Sequence, residues 1–143
     1  MKAVLAAAAL VLVSACSSTS GSSAAAGPTA TFTDVYAMLY PTTTNARCNF
    51  CHGLPANDRS NGNLSMGNDK AAAYAALVGK AAAGSACKDR MLVVAGQPEN
   101  SLMLMKLSEN PACGSRMPLG GNLLTDPQRE MVRSWIAAGA KDD

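Results

Sequence analysis

The stretch Cys48-Asn49-Phe50-Cys51-His52 constrains this chain more than any other. Two cysteines three apart lie on one face of a helical turn, and the residue after the second is turned about 100° further round the axis. Three chemistries use such a pattern: a dithiol redox pair, a zinc site and a covalently attached haem. The dithiol belongs near a βαβ pattern, which this sequence does not show. Zinc takes four ligands in a tetrahedron. Cys48, Cys51, Cys87 and Cys113 would supply that number, but the last two lack a close-spaced partner motif. C-x-x-C-H is the attachment motif of haem c. The thiols of Cys48 and Cys51 would add to the two vinyl groups, and His52 would point over the ring plane toward the iron. The motif favours this third chemistry.

The N-terminus agrees with it. Lys2 precedes an apolar run over Ala3–Val13, eleven residues long. That is the length of a signal-peptide core and too short for a bilayer span of about 20 residues. "VSAC" follows at Val13–Cys16 and resembles a bacterial lipobox, in which Cys16 becomes the lipidated first residue. Residues 1–15 then form a lipoprotein signal peptide. The next stretch, "SSTSGSSAAAGPTA", carries no charge and no apolar period, so residues 16–31 read as a lipid-anchored flexible linker. Its reach is on the order of 20 Å, enough to hold a domain just off a membrane surface. Export places the protein on the periplasmic side, where haem attachment takes place and where two further cysteines would pair.

The rest of the chain, residues 32–143, reads as one small all-α domain. Only 4% of the 143 residues are aromatic, which leaves few bulky groups to fill a core. A large buried cofactor would help. With 12 Lys and Arg against 10 Asp and Glu there is no nucleic-acid footprint. "TFTDVYAML" predicts a first helix with Thr33 as cap and Pro41 past its end. "NDKAAAYAALVG" predicts a second, capped by Asn68 and stopped by Gly79. "QPENSLMLMKL" predicts a third, opened by Pro98. In "TDPQREMVRSWIAAGA", Thr125 and Gln128 make a capping-box pattern, and Met131, Val132, Trp135 and Ile136 form one apolar stripe. Met91–Ala95 is the one segment that could be a strand.

His52 is the sole histidine, so bis-histidine ligation within the chain is excluded. The sixth site is a methionine, a lysine or open. Met103, Met105 and Met131 fall on helical patterns where methionine ordinarily packs, and Met66 and Met91 are not excluded by pattern. Met117 stands in "CGSRMPLGG", an aperiodic loop stiffened by Pro118, and is the expected ligand.

"CNFCHG" at 48–53, "RMP" at 116–118, sixty-five residues past His52, and a closing amphipathic helix with Trp135 together resemble class I cytochromes c. The fuller pattern "SLMLMKL … CGSRMP … WIAAGA" is similar to a mono-haem bacterial lipoprotein branch of that superfamily. The resemblance covers about residues 32–140. It implies a cytochrome c-like helical domain around one haem, with the first and last helices crossing near Trp135 and Phe32 or Tyr36. Many members carry a Gly-Pro-x-Leu stretch whose proline carbonyl accepts from the proximal histidine. Here the nearest match is "GNLS" at 62–65, so Gly62 or Asn63 is expected to provide that carbonyl.

The cysteine account then closes. Cys16 takes lipid, Cys48 and Cys51 take haem, and Cys87 and Cys113 form a disulfide. The function expected is one-electron transfer between redox protein partners, with His52 and Met117 as axial ligands and no catalysis. Two alternatives stay open: an open-site haem protein acting as ligand sensor or small peroxidase, and a structural lipoprotein without cofactor.

Overall fold

The computed structural model of the chain describes residues 29–55 and 61–143. The expected signal peptide, Cys16 and the linker up to residue 28 lie outside the described residues. Five α-helices follow one another among the described residues: α1 Phe32–Leu39, α2 Cys48–His52, α3 Lys70–Leu77, α4 Leu102–Lys106 and α5 Asp126–Ala137. No β-strand forms there. Extended segments meet in two isolated bridges, Val78 with Val93 and Ala81 with Met91. The described part of the chain is all-α, as its periodicity predicts.

Helix starts follow local capping chemistry. α5 opens as expected: the Thr125 side chain accepts from Gln128 N–H, and Gln128 Oε1 accepts from Thr125 N–H at 2.9 Å. α1 also has a capping box, but Thr31 caps it and not Thr33. Asp34 decides the register, because its carboxylate can reach back only to the residue three before it and accepts Thr31 N–H at 3.0 Å. Thr33 instead donates its hydroxyl to Asp143 O at 2.9 Å. α3 is capped by Asp69, whose carboxylate accepts Ala72 N–H at 2.8 Å, and not by Asn68.

The third expected helix is broken in two. Pro98–Asn100 forms a 3₁₀ turn, Ser101 is extended, and α4 begins at Leu102. The Ser101 hydroxyl explains the break. It is fully buried, accepts Val94 N–H at 2.9 Å and donates to Gln97 O at 2.9 Å. These bonds satisfy backbone groups that a continuous helix would have to leave. They also hold Met91–Val94 extended beside α4, where Met91 O and Leu92 O accept Leu102 N–H and Met103 N–H at 2.9 Å each.

α1 packs on α5 and on α3, and α4 packs on α5. Phe32 sits at the first junction, 4.9 Å from Trp135 and 5.2 Å from Tyr74 between ring centroids, and Tyr36 stacks on Tyr40 at 4.6 Å. Every aromatic except Phe50 belongs to this cluster. Trp135 donates its indole N–H to Lys141 O at 3.0 Å, so its polar edge is satisfied. Val132 and Ile136 complete the buried face of α5. The clustered bulk leaves the far walls of the domain to leucine, methionine and alanine.

Trp135→Ala should lower the unfolding free energy by about 3–5 kcal/mol in a denaturant titration, whereas Thr125→Ala should lower it by about 1 kcal/mol through the lost cap.

Candidate functional site

α2 has five residues and cannot hold itself by its own backbone bonds. Its start is fixed by Arg47, which adopts a left-handed conformation (φ 42°), and by Asn49 N–H donating to Tyr40 O at 3.3 Å. Its end is fixed by Gly53, where a Cβ would fall 2.6 Å from Asn49 O. No larger residue fits that approach.

Residues 61–66 wrap the other side of α2. The buried Asn61 side chain donates to Cys51 O, Leu54 O and Pro55 O at 3.4, 3.4 and 3.1 Å. Met66 N–H donates to His52 O at 2.6 Å. His52 Nδ1–H donates to Leu64 O at 3.1 Å. The imidazole is therefore tied at Nδ1, and its lone pair is left at Nε2. The carbonyl comes from Leu64, not from Gly62 or Asn63 as expected. Gly62 and Asn63 are both left-handed (φ 66° and 59°) and form the turn itself. The Gly62 carbonyl lies against Gly84, where a Cβ would fall 2.6 Å from it. Asn61 is a site residue that sequence reasoning missed; "NGN" signals a turn but not what its first side chain holds.

Cys48 and His52 face a cleft of about 620 Å³. Small-molecule and cofactor sites span roughly 300–1,000 Å³. Leu39, Leu64, Leu77, Leu92, Leu102 and Leu107 supply apolar wall, and Lys80 and Lys106 are its charged members. Of the described methionines, Met66, Met103 and Met117 line it; Met38, Met91, Met105 and Met131 lie elsewhere. Met66 belongs to the segment behind the His52 ring, on the Nδ1 side. Met117 enters on the loop after Cys113, with its N–H donating to Lys106 O at 2.7 Å. Cys51 is exposed and is not part of the cleft wall. Cys87 reaches the cleft and stands at disulfide distance from Cys113, with Cα atoms 5.5 Å apart and the two residues 26 positions apart in sequence. Those two sulfurs are thus engaged with one another and not with Cys48 and Cys51.

Burial sets the charge states. It holds the His52 imidazole below its usual range, opposed by the Leu64 hydrogen bond, so the neutral, ligating form is favoured. It pushes the Cys48 thiol up to about 11 and holds the Lys106 ammonium below its usual range. The donor set suits a haem: a neutral imidazole with its tautomer fixed, thioether sulfur, a thiol at the wall and an apolar lining. Family models, curated proteins and solved structures contain no match to the chain.

Two outcomes follow from this geometry. With both motif thiols free, iodoacetamide at pH 8 should alkylate the exposed Cys51 at least about tenfold faster than Cys48, because the buried thiol stays protonated; fragment mass spectrometry reads the two sites. Replacing Cys87 and Cys113 by serine should lower the unfolding free energy by about 3–4 kcal/mol in the chain-entropy account of a loop of this length.

Proposed function

We propose that this chain is a mono-haem c-type cytochrome that carries single electrons, tethered through lipid at Cys16 on the periplasmic side of a membrane. The observation that carries the reading is the meeting, in one apolar cleft, of Cys48 from the C-x-x-C-H helix, the His52 imidazole tied at Nδ1 and Met117. When bound, the haem supplies an iron that cycles between ferrous and ferric states.

The chain's own residues do the rest. Cys48 and Cys51 would anchor the macrocycle through thioethers formed by adding each S–H across a vinyl group. His52 Nε2 and Met117 sulfur would hold the iron. Leu64 O fixes the plane of the His52 ring and strengthens it as a donor. Met103 stands in the same cleft, but its backbone belongs to α4, where its N–H donates to Leu92 O and where packing is the ordinary use of methionine. The leucine walls would cover part of the haem face with apolar surface, which lowers the local dielectric. A filled sixth position leaves no place for substrate, so redox protein partners exchange electrons with the haem and no bond-making chemistry follows.

The mass of the exported protein should exceed that of the mature chain by one haem plus acyl groups; the bare chain mass would favour a structural lipoprotein. The ferric protein should be low-spin and show the thioether-to-iron charge-transfer band. Met117→Ala should abolish that band and yield high-spin haem, while Met103→Ala should keep it. High-spin wild-type haem that takes up carbon monoxide readily would instead support an open-site sensor or small peroxidase.

A further inference from the structure

The segment from Cys113 to Met117 has no regular structure, yet it must bring one sulfur to a defined place. The disulfide with Cys87 holds its beginning. Arg116 Nη1, donating to Gly121 O at 3.0 Å, holds the turn after it. Between these points stands Lys106, the last residue of α4. Its ammonium donates to Cys113 O at 2.7 Å and to Ser115 O at 2.8 Å. Its own carbonyl accepts Met117 N–H at 2.7 Å. One residue thus binds three peptide groups of a five-residue segment.

Gly114 is shaped to that arrangement. It is left-handed (φ +56°), and a Cβ on it would lie 2.7 Å from Lys106 Nζ and 3.2 Å from Ala86 Cβ. The missing side chain is what lets the ammonium lie between the carbonyls on either side of Gly114. Charge-assisted bonds of this kind are roughly twice as strong as neutral ones, and Lys106 stands at the cleft wall.

We propose that Lys106 is the positioning residue for Met117: its ammonium gathers the Cys113 and Ser115 carbonyls and its carbonyl takes the Met117 N–H, so that α4 sets where the thioether stands in the cleft. The inference rests on the reading of Met117 as an axial ligand of a haem. Lys106 does not itself bind the iron.

The test uses the full holoprotein and three variants. Lys106→Met keeps the apolar stem and removes the donors. Lys106→Arg keeps charged donors. Gly114→Ala keeps Lys106 but pushes its ammonium off the loop. Haem content is read by mass, the thioether-to-iron band by absorption, and opening of the sixth site by the affinity of the ferric protein for imidazole. Lys106→Met and Gly114→Ala should each retain haem, weaken the band and bind imidazole on the order of tenfold more tightly, the size expected for one lost charge-assisted bond. Lys106→Arg should recover most of the wild-type band. If Lys106→Met does not fold, Gly114→Ala carries the same expectation. Full band and wild-type imidazole affinity in these variants, even with a lowered unfolding midpoint, would make Lys106 a packing residue and overturn the inference. Wild-type protein without haem, or a band that survives Met117→Ala, would overturn the underlying ligand reading and this inference with it.

Discussion

The hydrogen bond from His52 Nδ1 to Leu64 O is the constraint on which the site depends. A five-residue helix closes hardly any backbone bonds of its own, and nucleating one is unfavourable. α2 therefore persists because residues 61–66 take up what it leaves open: Asn61 binds carbonyls at and beyond its C-terminal end, Met66 N–H takes the His52 carbonyl, and Leu64 O takes the imidazole. Were this wrap lost, the two motif cysteines and the histidine would have no common orientation. The left-handed pair Gly62–Asn63 turns the wrap back toward the imidazole, and Gly84 packs closely against the Gly62 carbonyl.

The division of bulk has a related consequence. The chain has few aromatic residues, and nearly all of them are gathered where α1 meets α5 and α3. This concentrates rigid packing on one side and leaves leucine, methionine and alanine to line a cleft on the other. The cleft, about 620 Å³, falls within the range of small-molecule and cofactor sites. Under the proposed function a haem completes the core that the side chains leave incomplete.

Much of the helical layout was legible in the sequence, and the misses have definite causes. The α5 box was readable because Thr125 and Gln128 are three apart and no rival cap stands nearby. At α1, Thr31 and Thr33 are equally good caps in isolation; only the reach of the Asp34 carboxylate separates them. At α3 the neighbours Asn68 and Asp69 have nearly the same side chain, and the chain direction entering the helix chooses between them. The break before α4 was not legible at all, since it comes from the Ser101 hydroxyl meeting Val94 and Gln97, partners that become available only when the Met91–Val94 segment lies alongside. The Leu64 carbonyl was missed by one or two residues for a similar reason: which carbonyl faces the imidazole depends on two backbone angles that glycine and asparagine leave open.

What the sequence determined by itself is local chemistry. The spacing of Cys48, Cys51 and His52 sets which groups share a helical face. Under the proposed function, the single histidine leaves one axial partner to be found elsewhere; helical periodicity and caps make the described part of the chain all-α. What only the tertiary structure decided is convergence: that Cys48, His52 and Met117 face one cleft, that Leu64 holds the imidazole, and that Lys106 reaches across to the loop carrying Met117. Spacing along a helix is dictated by its fixed rise and turn, whereas the meeting of residues sixty-five apart depends on how loops close over a packed core, and no local propensity encodes that.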